Sequence, residues 1–276
     1  MKIINSIDKL RDELKKNNKS IGFVPTMGAL HDGHISLIKQ SRVQNEIVVV
    51  SIFVNPTQFL EGEDFDSYPN KKEADIKICE LCKVDYLFMP EISTLYDTDE
   101  VLIKAPKISG FIFEGEKRAG HFDGMLQVVL KLLNIVKPKN AYFGKKDAQQ
   151  LSLISQMVKN LYIDVNIVAC DIVRENDGLA YSSRNVYLSK TQREESLLIS
   201  KSLKKAAKNI GMGEYSSKIL IEQMNNILTQ SNLVDVEYIS IVNRQFRKLE
   251  SVELQNTIIL VAVKIGKTRL IDNIWI

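Results

Sequence analysis

The feature that most constrains the fold is an alternation of short apolar runs and helical periods up to Cys170. The clearest run, 46–54, contains Ile-Val-Val-Val-Ser-Ile-Phe-Val; such β-branched runs are typical of strands buried on both faces of a parallel sheet. Further strands are predicted at 21–25, 84–89, 140–144 and 164–170, and helices at 7–16, 34–42, 71–83, 125–136 and 147–160. This order predicts an α/β fold with a Rossmann-like, doubly wound parallel sheet, which binds ligands at the carboxyl ends of its strands.

The pattern changes after Ile172. Ser189 and Gln192 have the spacing of a capping box, which predicts the start of a long amphipathic helix that reaches Ile210. A second helix is expected at 216–230, followed by strands at 235–242, 257–265 and 269–276. Helices followed by strands indicate a smaller α+β domain. We therefore predict one domain at residues 1–172 and a second at 173–276.

Composition narrows the classes of function. The 276 residues include 37 basic and 34 acidic side chains, a net charge of +3, so we expect no nucleic-acid partner. The longest apolar run, 258–263, is far shorter than the roughly 20 residues of a membrane span, and the N-terminal residues do not resemble a signal peptide. Three cysteines fit a reducing compartment. These observations predict a cytoplasmic protein without a membrane partner.

Cys79 and Cys82 form a C-x-x-C pair within the predicted helix 71–83. Such a pair can belong to a metal or redox site, but no second pair follows at zinc-finger spacing. We interpret the two cysteines as small residues of a helix.

The sharpest local motif is Pro25-Thr-Met-Gly-Ala-Leu-His31-Asp-Gly-His34, which follows a strand and opens a helix. The N–H groups and dipole of a helix N-terminus attract phosphates. Gly28 permits a tight turn and Gly33 a close backbone approach, while His31 and His34 are spaced to face the same side. The motif favours binding of a triphosphate; a zinc pair and two surface histidines are the alternatives.

Four polar clusters follow, and each taken singly is a weak signal. Asn55-Pro-Thr-Gln58-Phe59 offers uncharged amides at a strand end, against the alternative of a plain Asn-Pro turn. Gly120-His121-Phe-Asp-Gly124 precedes an apolar helix and follows the basic residues Lys117 and Arg118; its alternative is a flexible loop with a helix cap at Asp123.

Of the other two clusters, one lies at the start of the predicted helix 147–160, and the other follows the predicted domain boundary at residues 172 and 173. The first of them runs from Phe143 to Gln150. In it, Lys146 supplies a positive charge, Asp147 an acceptor for a hydroxyl and Gln150 a polar anchor. Val173-Arg174 and Ser182-Ser183-Arg184-Asn185 supply hydroxyls and a guanidinium that suit phosphates. Because most of the clusters follow strands of one predicted sheet, we expect a single pocket at that edge.

Taken together and in order, these motifs resemble the pantothenate synthetase (pantoate–β-alanine ligase) family of the H-x-G-H nucleotidylyltransferase superfamily. The matching blocks are PTMGALHDGH, SIFVNPTQF, GHFDG, KPKNAYFGKKDAQQL and SSRN with Tyr187-Leu188. They lie in the first 190 or so residues, and beyond them the chain is similar only in size and placement. The H-x-G-H motif marks the superfamily, whereas the full set is specific to this ligase.

The resemblance implies an ATP-dependent reaction in two steps. Pantoate attacks the α-phosphate of ATP with the help of Mg²⁺ to give pantoyl adenylate and pyrophosphate, and β-alanine then displaces AMP to form pantothenate. The partners implied are pantoate, β-alanine and ATP. The family also implies a homodimer formed through the N-terminal domain, and a C-terminal domain that acts as a lid.

The same resemblance assigns roles to individual residues. The catalytic residues that it implies are His34, His31, Lys146 and Arg184. It implies an ATP site that contains Pro25, Thr26, Met27, Gly33, His34, Gly144, Lys146, Asp147, Val173, Ser182, Ser183 and Arg184. It implies a pantoate site formed by Gln58, Gln150, Met27, Phe53, Asn55, His121, Val128 and Val129. Without the family match, the helical spacing of Val128 and Val129 indicates ordinary core residues.

The match has departures. They are Asn70 where the family commonly has arginine, Met125 and Tyr181 where smaller residues are usual, and Val186 where a basic residue is usual. The Mg²⁺ ligands are not apparent; Asp75 is a candidate, against the alternative of a solvated helix carboxylate.

Three other functions are weighed against the ligase. A related nucleotidyltransferase would act on a phosphorylated substrate and release no AMP. A zinc hydrolase would use His31, His34 and His121. A nucleotide-sensing module would bind ATP without turnover.

Overall fold

A computed structural model of the chain describes residues 1–16 and 18–276. Its helices are α1 Ile7–Lys15, α2 Asp32–Gln44, α3 Lys72–Leu81, α4 Ile92–Leu95, α5 Glu114–Lys117, α6 His121–Val136, α7 Ala148–Asn160, α8 Lys190–Gly211 and α9 Ser217–Leu228. Its strands are β1 Lys2–Ile4, β2 Ile21–Thr26, β3 Ile47–Ile52, β4 Tyr86–Phe88, β5 Asn140–Gly144, β6 Asn166–Cys170, β7 Val234–Asn243, β8 Thr257–Ile265 and β9 Thr268–Trp275.

The chain forms two compact units. The first comprises residues 1–145 and 149–171, and the second comprises 146–148 and 172–276. The predicted boundary, between residues 172 and 173, lies one residue from the main division, but the short segment 146–148 belongs to the second unit.

In the first unit, the described strands form a parallel sheet in the order β1-β4-β3-β2-β5-β6. The chain runs outward from β2 through β3 to β4 and later returns to the other side of β2 with β5. This reversal is the topological switch point, where the loops after neighbouring strands leave a crevice. The predicted Rossmann-like α/β fold is confirmed.

The parallel sheet is built from residues that are buried on both faces. In β3, Ile47, Val48, Val49 and Val50 are each at most 5% exposed. β2 places Phe23 and Val24 beside them, and both are fully buried. The prediction that the run 46–54 forms an inner strand is therefore confirmed, with the strand ending at Ile52.

The second unit has an antiparallel sheet in the order β7-β8-β9 and two helices. Ser189 caps α8 and Gln192 completes the predicted capping box. Residues of α8, α9 and the sheet share one apolar core, in which Leu220 and Met224 are fully buried. The α+β class expected for the C-terminal part is confirmed.

Two differences from the predicted elements have physical reasons. β1 was not predicted, because it has three residues, two of them exposed, and no alternation is visible over so short a stretch. α6 begins at His121 instead of Met125, because Gly120 adopts φ 93° and serves as its N-cap. Gly124 lies in the first turn of α6 and weakens the local helix signal.

The cysteine pair behaves as small helix residues. Cys79 and Cys82 are free, and Cys79 is fully buried in α3. Burial, followed by the nearby Asp75 carboxylate, raises the pKa of Cys79 to about 12. The thiol is therefore protonated at neutral pH and a poor nucleophile. None of the described helices combines the length and apolarity of a membrane span.

Candidate active site

The loop between β2 and α2 carries the decapeptide motif and has an unusual backbone. Gly28 adopts φ 89° and Ala29 φ 50°, the left-handed region that glycine enters readily and alanine does not. The Asp75 carboxylate of α3 accepts hydrogen bonds from the N–H groups of Ala29, at 2.9 Å, and Leu30, at 2.7 Å. A carboxylate with two charge-assisted bonds can hold such a strained turn in place.

Asp75 is not a solvated helix carboxylate. Its side chain is 2% exposed, and burial raises its pKa although the two backbone hydrogen bonds act in the opposite direction. The geometry supports a role as the anchor of the backbone of the loop between β2 and α2. The prediction that Asp75 binds Mg²⁺ stays untested.

His31 and His34 lie together at the start of α2. His31 is the N-cap, and the two ring centroids are 4.1 Å apart. The His31 N–H donates to Nδ1 of His34 at 3.3 Å. In the neutral form, His34 therefore carries its proton on Nε2, which is a hydrogen-bond donor suited to a phosphate oxygen.

The turn after β3 holds Asn55 and Gln58 in a fixed arrangement. Residues Pro56–Gln58 form a short 3₁₀ turn, and Asn55 is 1% exposed. Oδ1 of Asn55 accepts from the hydroxyls of Tyr96, at 2.8 Å, and Thr57, at 3.0 Å. Its Nδ2 donates to Oε1 of Gln58 at 3.0 Å and to the Gly124 carbonyl at 3.1 Å.

These contacts determine the polarity of the Gln58 amide. Because Oε1 accepts from Asn55, the other end of the amide is the donor Nε2, which lies 3.1 Å from Sδ of Met27. A thioether is a weak acceptor. Gln58 therefore presents N–H groups suited to a carboxylate or hydroxyl oxygen.

The start of α6 packs closely against this turn. A Cβ on Gly124 would overlap the carbonyl of Thr57, so only glycine fits at this point. His121 is 7% exposed, and its Nδ1 lies 2.7 Å from the carbonyl oxygen of Gln58. The flexible-loop alternative for 120–124 is wrong, because all but Gly120 belong to α6.

A cavity of about 710 Å³ opens at the carboxyl ends of β2, β3 and β4. Its walls include Met27 and Phe53 together with Asp75 and Asn70, one of the departures from the family pattern. The other predicted apolar contacts, Val128 and Val129, are buried on α6 and do not line this cavity. Their contact with pantoate stays a prediction.

The remaining predicted residues of the first unit lie at the ends of its elements. Pro25 and Thr26 close β2, and the Thr26 hydroxyl donates to the Ser51 carbonyl at 2.8 Å and accepts from the Gly28 N–H. Gly33 is in the first turn of α2, Gly144 ends β5, and Gln150 is half-buried in the first turn of α7.

The second unit carries the other predicted nucleotide residues. Nζ of Lys146 lies 3.7 Å from Asp147, and the Lys146 carbonyl accepts from Asn273 of β9 at 2.7 Å. Ser182 caps a short turn, Ser183–Tyr187, that includes Arg184. Nδ2 of Asn185 donates to Glu175 and to the Ala180 carbonyl.

Val173 and two further departures lie near that turn. Val173 is half-buried, and its carbonyl accepts from the Tyr181 N–H at 3.1 Å. Val186 is 60% exposed, so its replacement of a basic residue leaves the unit's packing intact. In the first unit, Met125 is 2% exposed on α6 and acts as a core residue.

Sequence reasoning missed Tyr96 and Glu63. Tyr96 lies after α4 in an irregular stretch that shows no periodic pattern, and Glu63 is one of several acidic residues in a loop. Their importance comes from contacts with Asn55 and Arg118, which are distant along the chain.

The zinc alternative is not supported. Within residues 1–16 and 18–276, no group of three or more His, Cys, Asp or Glu side chains is placed to hold a metal ion. His121 in particular uses both ring nitrogens in contacts with Arg118 and Gln58.

Comparisons with known proteins agree with the motifs. The chain matches the pantoate-beta-alanine ligase family over residues 2–275. It is 59% identical to the pantothenate synthetase of Aliarcobacter butzleri and 57% identical to that of Sulfurimonas denitrificans, and each alignment covers 100% of both chains.

Solved structures give the same result. The pantothenate synthetase of Thermus thermophilus superimposes with a TM-score of 0.96 at 35% identity, over 100% of this chain and 99% of that one. The pantoate-beta-alanine ligase of Francisella tularensis, complexed with beta-gamma ATP and beta-alanine, superimposes with a TM-score of 0.82 at 40% identity, over 100% and 97%. The chain belongs to the pantoate-beta-alanine ligase family.

Proposed function

We propose that this protein condenses pantoate with β-alanine to form pantothenate, using ATP and passing through pantoyl adenylate. The observation that carries the proposal is the Gln58 amide, whose N–H end is presented by the Asn55 network at the carboxyl end of β3. An uncharged donor suits the hydroxyl and carboxylate of pantoate, whereas a phosphorylated substrate calls for a basic site. Family membership and the ligands of the Francisella tularensis structure support the same reaction.

In the first step, an oxygen of the pantoate carboxylate attacks the α-phosphorus of ATP. A P–O bond forms, the bond between the α-phosphorus and the bridging oxygen breaks, and pyrophosphate leaves. We assign to His34 the donation of its Nε2–H to a phosphate oxygen, and the dipole and N–H groups at the start of α2 favour negative charge. Such a reaction depends on positioning and charge neutralisation more than on a nucleophilic side chain.

In the second step, the neutral amine of β-alanine attacks the carbonyl carbon of pantoyl adenylate. The amide bond forms, the bond between that carbon and the phosphate oxygen breaks, and AMP leaves with that oxygen. The nitrogen loses a proton. We assign His31, Lys146, Arg184, Ser182 and Ser183 to the nucleotide, as the resemblance implies.

We also propose that Mg²⁺ enters with the triphosphate. Mg²⁺ is commonly bound by one or two carboxylates, waters and substrate phosphates, and needs no all-protein cage. Asp75 already accepts two backbone hydrogen bonds.

The experiment uses purified protein with Mg²⁺-ATP and pantoate labelled with ¹⁸O in its carboxylate, with and without β-alanine. We expect AMP and pantothenate in equal amounts when all three substrates are present, and one ¹⁸O atom in each AMP. AMP without the label would contradict attack by the carboxylate. A transfer to a phosphorylated acceptor without AMP release would contradict the roles of Gln58 and Gln150.

Two further parts of the proposal concern the state of the enzyme. The cysteine content supports a cytoplasmic location, and the family resemblance supports a homodimer through the N-terminal domain. Light scattering coupled to size-exclusion chromatography tests the dimer: a mass of about 31.4 kDa would contradict it.

A further inference from the structure

A partly buried chain of polar contacts joins Glu63, Arg118, His121 and the backbone of Gln58. Arg118 donates to both carboxylate oxygens of Glu63 at 2.6 Å. A third N–H group of Arg118 faces Nε2 of His121 at 3.0 Å, and Nδ1 of His121 faces the Gln58 carbonyl oxygen at 2.7 Å. The Arg118 and Glu63 side chains are only 15% and 23% exposed.

The partners of His121 determine its protonation state. Arginine has only donors, so Nε2 of His121 must be the acceptor, and a carbonyl only accepts, so Nδ1 must carry the proton. A proton on Nε2 would face the N–H of Arg118. The ring is therefore the neutral Nδ1–H tautomer, and it is committed as a donor to Gln58.

Burial of the ring and the charge of Arg118 keep it in that state. Burial and then the Arg118 charge lower the pKa of His121 to about 4, against smaller opposing effects of the Gln58 carbonyl, Glu63 and Glu114. Burial alone would raise the pKa of Glu63, but its hydrogen bonds to Arg118 and the charge of Arg118 outweigh this and lower it. Glu63 is thus a carboxylate at neutral pH and holds the guanidinium in place.

The same contacts fix the segment that follows Gln58. Glu63 accepts from the Leu60 N–H at 3.1 Å, and Phe59 packs edge-on against Phe65 and Tyr68. One guanidinium therefore joins this segment to the first turn of α6.

We propose that Arg118 is a positioning residue for pantoate binding: with Glu63 it holds His121 as the neutral Nδ1–H tautomer, and the ring fixes the Gln58 carbonyl. We call Glu63, Arg118 and His121 the Glu63–Arg118–His121 clamp. Asn55 orients the side-chain amide of Gln58, and the clamp holds the backbone carbonyl of Gln58. The inference rests on the proposed function, because Gln58 is assigned there to pantoate.

The test compares Arg118→Met with Arg42→Met. Arg42 is a matched control, because its guanidinium also joins a carboxylate to a backbone carbonyl. It donates to Asp85 at 2.6 Å and to the Asn45 carbonyl at 2.7 Å. Arg42 lies at the other end of α2 from His34. We expect Arg118→Met to raise KM for pantoate about tenfold or more, with KM for ATP changed less than twofold. Arg118→Lys should recover part of this loss, and Arg42→Met should leave both KM values unchanged.

A spectroscopic measurement tests the clamp without turnover. The chain has three histidines, so ¹⁵N-histidine NMR resolves each ring, and His121→Gln identifies the His121 signals. We expect the Nδ1–H tautomer in the wild-type protein at pH 7 and at pH 5.5. In Arg118→Met the ring should become partly protonated at pH 5.5.

Two results would overturn the inference. One is an Nε2–H or doubly protonated His121 ring in the wild-type protein at pH 7. The other is a pantoate KM for Arg118→Met equal to that of Arg42→Met, which would make the clamp purely structural. A wild-type protein that forms no pantothenate would contradict the proposed function instead, and the NMR spectra would still decide whether the clamp holds the tautomer.

Discussion

At the scale of single residues, the amide of Gln58 shows how a hydrogen-bond network sets the orientation of a side chain. The Asn55 side chain has an acceptor, Oδ1, and a donor, Nδ2. Oδ1 accepts from the Tyr96 and Thr57 hydroxyls, and Nδ2 donates to the Gly124 carbonyl, so the orientation of the amide is determined. Its N–H groups then face Oε1 of Gln58. An amide that can rotate freely binds donors and acceptors alike, whereas this one is set to donate.

Gln58→Glu should weaken pantoate binding strongly. A carboxylate there removes the donor and brings a like charge toward the substrate, and a lost hydrogen bond to a charged group costs about 1.5–3 kcal/mol. We expect KM for pantoate to rise about 10- to 100-fold or more in steady-state kinetics, with KM for ATP nearly unchanged.

Gln156→Glu is the control for that variant. Gln156 accepts from the Ser109 hydroxyl through Oε1, which a glutamate also does. Equal pantoate KM values for the two variants would show that Gln58 does not contact the substrate.

His121 should make folding stability depend on pH. Its pKa is lowered from 6.5 to about 4 in the folded protein, by burial and then by Arg118, so below pH 6.5 the unfolded chain binds a proton that the folded chain does not. The contribution of His121 to stability is therefore lost as the pH falls from about 6.5 to 4, by about 3 kcal/mol in total.

Urea unfolding of the wild-type protein and His121→Gln measures this effect. Carboxylates also titrate in this range, and comparison with the variant removes their contribution. As the pH falls from 7 to 4, the free energy of unfolding of the wild type should decrease by about 3 kcal/mol more than that of His121→Gln. A constant difference would mean that His121 titrates normally in the folded state.

At the scale of secondary-structure elements, the site depends on how α6 and α3 approach the loops at the strand ends. α6 meets the Pro56–Gln58 turn at Gly124, and α3 reaches the loop between β2 and α2 through Asp75. In both places a helix contacts backbone atoms, so its position sets the position of the loop.

Gly124→Ala should therefore destabilise the protein. Alanine normally favours a helix over glycine by about 0.5–1 kcal/mol, but here its Cβ would overlap the Thr57 carbonyl. We expect a loss of at least about 1–3 kcal/mol in the free energy of unfolding, the usual cost of overpacking, and a higher KM for pantoate.

Gly211→Ala provides the comparison. Gly211 ends α8, and a Cβ there would meet no other atom within 4 Å. This variant should be neutral or slightly more stable in urea unfolding. Similar stabilities for Gly124→Ala and Gly211→Ala would contradict the close approach of α6.

At the scale of the whole molecule, each unit has an apolar core of its own. In the first unit, β2, β3 and β4 contribute Val24, Val48, Val50 and Leu87 to a buried cluster. In the second unit, α8, α9 and the antiparallel sheet enclose Leu220. The second unit thus has packing of its own that stabilises it.

Leu220→Ala tests the second core. Leu220 is fully buried, and truncation of a buried leucine to alanine costs about 2–5 kcal/mol. Ile219, the preceding residue of α9, is 41% exposed, so Ile219→Ala should cost much less. Thermal unfolding followed by circular dichroism compares them; equal melting temperatures would contradict the packing of α9 onto the sheet.

Much of the fold could be predicted because periodicity is a local property. The β-branched run of β3, the capping box of α8 and the apolar spacing of α6 record which face of each element is buried. The bounds 140–144 and 257–265 coincide with β5 and β8. The motifs could be placed near one another because the carboxyl ends of parallel strands share an edge.

The sequence by itself therefore determined the fold class, most of the elements and the family motifs of this protein. Only the tertiary structure decided what holds the site residues in place: Asp75 on the N–H groups of Ala29 and Leu30, Tyr96 on Asn55, and Glu63 on Arg118. These partners are more than 40 residues apart along the chain. Their contacts depend on the path of irregular loops and on the packing of helices, and neither leaves a periodic pattern in the sequence.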